Sequence, residues 1–331
     1  MLSMIIKKSR PNLSDVSINQ YLSSLRTLNG GQPINDLNFL NDFDAVMMSL
    51  KKKKPTTVKN YANAAIVALT SVAADPSLVR KYSDVRDALN TQYSEFHATH
   101  EKTPKQEANW VEFGEYRSMV DGLREEVAGV LKEKEWSVQT RRKYQEYLLP
   151  LIFTVLPLRN EFVMTVVSKS AFNRLTPAEK EKGNYFVAPQ KGPMFLVINQ
   201  YKTSKRYGEK IIELDDPELV ASLKVWLKHR PADTTSLFFE PVGMVEPATS
   251  GSITKVMTAV SKRELGGKSI GSSLLRHIFL SAKYADTLKE MEADAEVMGH
   301  SVETAQKIYV KNYFLFYFLE VKCHLNRRVR L

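Results

Sequence analysis

The stretch that decides the fold is GSSLLRHIFLSAKYADTLKEMEADAEVMGHSVETAQKIY, residues 271–309. Its pattern of apolar and polar residues predicts helices over residues 272–285 and 288–298. Gly299 follows the second helix, at the position after a helix end that glycine favours. Ser301 is a suitable N-cap for another helix. The stretch therefore predicts successive helices separated by a glycine turn, at the C-terminal end of a mainly helical chain.

Three side chains in this stretch belong to types that bind or attack a phosphate group. Arg276 lies near the start of the first helix, and its forked donors can hold two phosphate oxygens. His300 follows the glycine turn, where the N-terminus of the next helix favours an anion. Tyr309 lies further along that helix, and neighbouring cations favour ionisation of its phenol. This combination points to chemistry on a phosphodiester.

Two upstream motifs extend the set. LPLRNE, residues 156–161, places Arg159 close to Glu161 within an apolar run, which predicts a buried arginine with a partner. QYKTSK, residues 200–205, lies on a strand of a predicted hairpin and contains Lys202, with Lys205 as the other candidate. A lysine there can protonate a leaving oxygen, since an ammonium group is a general acid.

Taken in chain order, four motifs resemble those of the tyrosine recombinases, the phage-integrase family. They are LPLRNE, QYKTSK, Arg276-His277, and Gly299-His300-Ser301 with Tyr309 nine residues after the histidine. The resemblance covers about residues 106–315. The amino-acid sequences of the motifs are most similar to those of integrases of eukaryotic viruses and their satellite elements. The resemblance implies a helical core-binding domain followed by a catalytic domain. The implied catalytic residues are Arg159, Lys202, Arg276, His300 and the nucleophile Tyr309.

Three more residues are expected to support this set. Glu161 is expected to orient Arg159. For His277 two roles are open: packing or hydrogen bonding within the helix, which the sequence favours, or support of Arg276. Ser273 stands where the family usually has histidine or lysine. A hydroxyl can hold a water or a phosphate oxygen but is not a base near neutral pH. The resemblance therefore leaves the general base unassigned.

The composition favours a polyanionic partner. The 331 residues include 47 Lys and Arg against 37 Asp and Glu, a formal net charge of +10. Because basic residues are spread along the whole chain, we expect a clamp around double-stranded DNA. The predicted DNA contacts are Lys51, Lys52, Lys53, Lys54, Thr56, Thr57, Lys59 and Lys205, with Thr56 and Thr57 capping a helix.

The remaining residue types argue against other classes of protein. A single cysteine, Cys323, cannot form an intrachain disulfide, which fits a reducing compartment. His97, His100 and Glu101 lie close together, but a further ligand with suitable spacing is not evident, so no metal is expected. Phosphate-binding glycine motifs are lacking, so no cofactor is expected. The longest apolar run is too short to cross a membrane.

The expected architecture is mainly α with a small antiparallel sheet, in two domains. Residues 1–99 are predicted to form the helical domain, 100–108 a linker and 109–331 the catalytic domain. The sheet is predicted from apolar runs at 185–188, 194–199 and 210–214. The apolar tail after Tyr309 must be buried, either within its own domain or on a neighbouring protomer. The resemblance implies docking on a neighbouring protomer, and with it a homotetramer on paired sites.

The resulting functional hypothesis is a site-specific recombinase or integrase of a mobile or viral genome. It would act intracellularly, wherever its target DNA is, in the host nucleus or cytoplasm or in a viral factory. The covalent 3′-phosphotyrosine would conserve the energy of the broken bond. A type IB topoisomerase and a catalytically inactive DNA-binding protein are the alternatives.

Overall fold

The computed structural model describes residues 1–232, 234–304, 306 and 308. The chain divides into two compact units, Met1–Thr103 and Pro104–Leu331. Residues 104–108, predicted as part of the linker, belong instead to a short helix, α6, Pro104–Asn109. The mainly helical character expected from the sequence is confirmed.

The first unit is entirely helical among its described elements. Tyr82 lies in its core, and its hydroxyl donates to the carbonyl of Leu40 at 3.0 Å. Ser14 caps α2, because its Oγ accepts a hydrogen bond from the N–H of Ser17 at 3.1 Å. The helices are α1 Leu2–Ser9, α2 Asp15–Leu28, α3 Phe43–Leu50, α4 Pro55–Ser71 and α5 Pro76–Ala98, with a 3₁₀ turn at Asn38–Leu40.

The predicted cap of α4 by Thr56 and Thr57 is wrong. Lys54 is the N-cap residue and Pro55 is the first helical residue. Proline suits this position because its fixed φ is helical and its missing N–H would have no partner there. The helix therefore begins directly after the four lysines.

The second unit is organised around α8, Val138–Val155, most of whose residues are buried. The amide of Gln145 on this helix exchanges two hydrogen bonds with the backbone of Phe239, at 2.8 and 2.9 Å. Around it lie α7 Phe113–Ala128, a 3₁₀ turn at Gly129–Lys132, α9 Lys169–Arg174, α10 Pro177–Lys180, α11 Ser204–Tyr207, α12 Pro217–His229, α13 Ser250–Glu264, α14 Ser272–Val297 and α15 Val302–Thr304.

The sheet has four strands in sequential order: β1 Thr165–Val167, β2 Asn184–Val187, β3 Met194–Ile198 and β4 Lys210–Leu214. Strands β2, β3 and β4 are antiparallel, but β1 pairs with β2 in parallel, with Thr165 opposite Tyr185. The prediction of a purely antiparallel sheet is therefore wrong. The sequence pattern missed β1 because three residues are too few to show an alternation.

Helix α14 is a single helix of 26 residues where the sequence predicted two. Its end is as predicted: Gly299 has φ of +72°, and the N–H groups of His300 and Gly299 donate to the carbonyls of Ala295 and Glu296. This pair of bonds is the Schellman arrangement that closes helices. None of the helices in the described ranges combines the length and apolar character needed to span a membrane.

Candidate active site

A cavity of about 640 Å³ in the second unit brings three predicted residues together. Arg159, Glu161 and Lys202 all line it, although they come from separate motifs. Lys182 lines the same cavity and was not expected from the sequence. It precedes β2 and lacks a motif of its own, so only the fold reveals its place. The cavity therefore combines three cationic side chains with one carboxylate.

Arg159 reaches the cavity because α8 ends just before it. The residue before Pro157 disfavours the helical conformation, and α8 ends at Val155. Leu158 packs against the core and Phe162 is buried, whereas Arg159 is exposed. The prediction of a buried Arg159 is thus wrong, since only its apolar neighbours turn inward.

The segment that carries Arg159 is fixed to the start of α13. The amide nitrogen of Asn160 donates to the carbonyl of Ser250 at 2.9 Å and to Oγ1 of Thr254 at 2.6 Å. The hydroxyl of Ser250 donates in return to the carbonyl of Asn160 at 3.4 Å. These bonds anchor the backbone next to Arg159, while its side chain lines the cavity.

Lys202 lies in the connection between β3 and β4, and not on a strand as predicted. The residue is exposed and precedes the one-turn helix α11, which is followed by Gly208 with φ of +69°. The connection is too long for a tight two-residue turn, so the lysine leaves the ladder and stands at the cavity. Lys205, the alternative lysine, is an exposed residue of α11.

Arg276 is electrostatically connected to Arg159 and Glu161. Burial lowers the pKa of the Arg276 guanidinium, the Arg159 cation lowers this pKa further, and the Glu161 carboxylate raises it. Nε of Arg276 and Oε2 of Glu161 are buried and form no hydrogen bond with any described residue. Buried polar atoms normally have partners. Two arginines and a single carboxylate therefore leave a positive charge, and the Nε of Arg276 is an unused donor suited to an anion.

The supporting residues predicted on α14 stand outside this cavity. Ser273 and His277 are exposed residues near the helix start, and neither lines the cavity. Arg276, on the same helix, is half-buried and is not a lining residue of the cavity either. Its connection to the cavity is the electrostatic one with Arg159 and Glu161. Of the three predicted supporting residues, only Glu161 lines the cavity.

The structure places His300 at the other end of α14. The helix between Arg276 and Val297 is about 30 Å long at ~1.5 Å per residue. It contains neither proline nor glycine, the usual causes of a sharp bend. One chain therefore does not bring His300 beside Arg276, because the break predicted near residues 286–287 is absent. Tyr309 and the predicted docking tail lie outside the described residues.

The turn around His300 is otherwise as expected. Its Nδ1 lies 3.2 Å from the carbonyl oxygen of Ser301. Oγ of Ser301 accepts a hydrogen bond from the N–H of Thr304 at 3.2 Å, so this serine caps α15 as predicted. Cap and glycine turn together fix the backbone on both sides of the histidine.

The predicted DNA contacts of the first unit differ in exposure. Lys51, Lys52, Lys53 and Lys54 are exposed in the connection between α3 and α4, and Thr56 is exposed beside them. Thr57 is half-buried. Nζ of the half-buried Lys59 lies 4.6 Å from the ring centroid of Tyr93, a cation–π contact that holds this lysine to α5. The tetralysine connection, residues 51–54, is thus the exposed cationic segment at the start of α4.

The histidines at and just after the end of α5 are explained by local packing and backbone conformation. The ring of His97 packs edge-on against Tyr93 at a centroid distance of 4.2 Å, and His100 adopts a left-handed φ of +56°. Within residues 1–232, 234–304, 306 and 308, no three His, Cys, Asp or Glu side chains gather as a metal site.

A scan against protein-family models finds no match, and a search of curated proteins finds none either.

Proposed function

We propose that this chain is a site-specific DNA recombinase that cleaves and rejoins strands through a covalent 3′-phosphotyrosine at Tyr309. The observation that carries this proposal is the convergence of separate motifs. Arg159, Glu161 and Lys202 share one cavity, and Arg276 interacts electrostatically with the first two. This convergence favours the interpretation that the four residues form one anion site over the interpretation that they are unrelated surface residues.

Charge stabilisation is the first task of the site. The guanidinium groups of Arg159 and Arg276 would hold the non-bridging oxygens of the scissile phosphate. Bonds between charged partners are short and strong, and arginine forms them in forked pairs. The unused Nε of Arg276 supplies one such donor. Glu161 limits the repulsion between the two arginines when DNA is absent.

Strand cleavage then follows as a displacement at phosphorus. The phenol oxygen of Tyr309 forms a bond to phosphorus while the bond to the 5′ oxygen breaks. The Lys202 ammonium donates a proton to the leaving 5′ oxygen. The phenol proton passes to water, since the exposed Ser273 is not a base near neutral pH. Attack by a 5′ hydroxyl on the phosphotyrosine reverses these steps and rejoins the strand.

The continuous α14 implies that the active site is assembled from more than one chain. Because the helix carries His300 away from Arg276 of the same chain, a complete set requires a second chain. We place the segment that begins at His300 in the site of a neighbouring copy, on paired DNA sites. The exposed apolar side chains of Leu280, Tyr284 and Leu288 along α14 supply a surface for such a neighbour. In a homotetramer on two duplexes, every active site would receive the His300 segment of a neighbouring chain.

The first unit would complete a clamp on the duplex. Its tetralysine connection is exposed at the start of α4, where the lysines can contact phosphates. Contacts of this kind fix position on DNA without reading its sequence. They would hold the duplex while the second unit carries out the chemistry.

The test is adduct formation on nicked duplex DNA taken from repeats that flank the gene. A nick next to the cleavage site lets the released fragment diffuse away, so the protein remains attached and migrates slowly in a denaturing gel. The expected result is an adduct with the unmodified chain that Arg159→Ala and Arg276→Ala reduce roughly 10²-fold or more. Glu209→Gln is the matched control, an exposed charge outside the cavity.

Two outcomes would replace the proposal. Relaxation of supercoiled plasmid by single chains, without paired sites, would favour the topoisomerase. Binding without an adduct under any condition would favour the inactive DNA-binding protein.

A further inference from the structure

We propose that Asn184 is a positioning residue that sets Lys202 against the phosphate held by Arg159, an inference that rests on the proposed function. Asn184 is the first residue of β2 and is only 7 % exposed. Local sequence does not single it out, because an asparagine before an apolar strand is an ordinary turn residue. Its hydrogen bonds show a different role.

The Asn184 side chain uses all of its hydrogen-bonding capacity on two backbone segments. Its Nδ2 donates to the carbonyls of Glu161 at 3.2 Å and Gln200 at 3.0 Å. Its Oδ1 accepts from the N–H groups of Asn199 at 3.0 Å and Gln200 at 2.8 Å. A primary amide has two donor hydrogens and two acceptor lone pairs. Because two N–H groups face Oδ1 and two carbonyls face Nδ2, these partners also fix which way the amide is oriented.

This amide connects the two chain segments that carry the proposed chemistry. Glu161 comes two residues after Arg159, and Gln200 comes two residues before Lys202. The β2–β3 ladder ends with the pair Asn184–Ile198, so beyond it the chain toward Lys202 leaves the sheet. The Asn184 amide holds that departing chain against the Glu161 segment.

The two segments depend on Asn184 to different degrees. The Arg159 segment keeps a second anchor, since Asn160 bonds to Ser250 and Thr254. Three of the four amide bonds go instead to the segment that leads to Lys202. Loss of the amide should therefore displace the lysine and leave the arginine in place. The defect should appear in protonation of the leaving group.

Leaving-group chemistry isolates that step. A duplex with sulfur in place of the bridging 5′ oxygen releases a thiolate, whose conjugate acid has a pKa of about 8.5. An alkoxide is far more basic and needs a proton as it leaves. Cleavage of the sulfur duplex should therefore no longer depend on Lys202, whereas it still needs the arginines.

The experiment measures the rate of adduct formation on nicked oxygen and sulfur duplexes. We expect Lys202→Ala to slow cleavage of the oxygen duplex roughly 10²-fold or more. Asn184→Ala should slow it roughly tenfold or more, because a misplaced group loses rate steeply. Both variants should return to within about threefold of the unmodified rate on the sulfur duplex. Arg159→Ala should remain slow on both duplexes.

The matched control is Asn199→Ala. The Nδ2 group of Asn199 donates to the carbonyls of Lys180, at the end of α10, and Gly183, just before β2, and not to the carbonyl of Glu161. Its removal should leave the ratio of the oxygen rate to the sulfur rate unchanged. Asn184→Ser is the second variant for the case in which the alanine variant does not fold, because its hydroxyl retains a donor and an acceptor.

Specific results would overturn the inference. Equal slowing of both duplexes by the Asn184 variants would assign this residue to the fold or to the arginines. Unchanged cleavage of the oxygen duplex would show that Lys202 needs no such support. If instead the unmodified chain forms an adduct on neither duplex, the proposed function itself fails.

Discussion

Replacement of Arg276 by methionine should stabilise the protein while removing its activity. The buried Nε of this arginine forms no hydrogen bond with any described residue, and an unsatisfied buried donor costs about 1–3 kcal/mol. Arg159 adds repulsion, whereas Glu161 adds attraction that partly offsets it. Methionine retains a long apolar side chain but carries neither the donor nor the charge.

The expected gain is therefore at the lower end of that range, about 1 kcal/mol. For a unit of this size, such a change raises Tm by about 2–4 °C. The assay is calorimetry of the DNA-free protein, beside the rate of adduct formation. Cleavage should fall roughly 10²-fold or more, because a donor to the developing phosphate charge is removed.

Arg142→Met is the matched control for the combination of higher stability and lost cleavage that is expected of Arg276→Met. Arg142 is exposed on α8 and pairs with Glu146 at 3.0 Å, so its loss should cost up to about 0.5 kcal/mol. A Tm of Arg276→Met that falls by several degrees would refute the reasoning. Arg276 would then be a structural ion-pair partner and not a group held in readiness for a ligand.

Three further predictions address assembly, DNA binding and pH. Mixing Arg276→Ala with Tyr309→Phe should restore adduct formation that neither variant shows alone; an inactive mixture would show that each chain completes its own site. Replacing Lys51 to Lys54 with serine should reduce the slope of log K against log salt by about 0.9 for every phosphate that these lysines neutralise, and an unchanged slope would remove them from the interface. Burial lowers the pKa of His229, with Lys228 and Arg141 adding to the effect. The folded protein thus prefers the neutral ring, so its contribution to stability is present above about pH 6.5 and is lost as pH falls through the lower folded pKa. In thermal melts, His229→Gln should lose less stability than the unmodified protein between pH 7 and 5, and an equal loss would contradict this sign.

Much of the helical framework follows from local sequence signals. Ser301 accepts the capping bond that its position predicted, and Gly299 adopts the left-handed φ expected after a helix. These features depend on residues close in sequence. The same holds for the apolar runs that became β2, β3 and β4.

The features that local signals missed depend on partners distant in sequence. Strand β1 is defined by its parallel pairing with β2. The exposure of Arg159 depends on how its neighbours pack, and the site role of Lys182 depends on the sheet that places it by the cavity. Helix α14 is a separate case: it continues through residues 286–287, between the two helices predicted from the sequence.

The site was predictable in its residue types but not in its assembly. The motifs named Arg159, Glu161 and Lys202, and the cavity unites them. The motifs could not show that His300 stands at the far end of the helix that starts near Arg276. The Asn184 amide was likewise hidden, since its four partners are backbone groups and leave no mark in the sequence.

The most direct test of the account is the chemical identity of the protein–DNA bond. After adduct formation on nicked duplex, trypsin should release the peptide of residues 308–311, which contains Tyr309 as its sole tyrosine, because Lys307 and Lys311 flank it. Mass spectrometry should find this peptide joined through the phenol oxygen to a 3′ phosphate, and the released strand should carry a 5′ hydroxyl. Tyr309→Phe should yield no adduct, while Tyr313→Phe should yield the same peptide. A modified peptide that contains Tyr313, or a bond to the 5′ end, would contradict both the nucleophile and the reaction class.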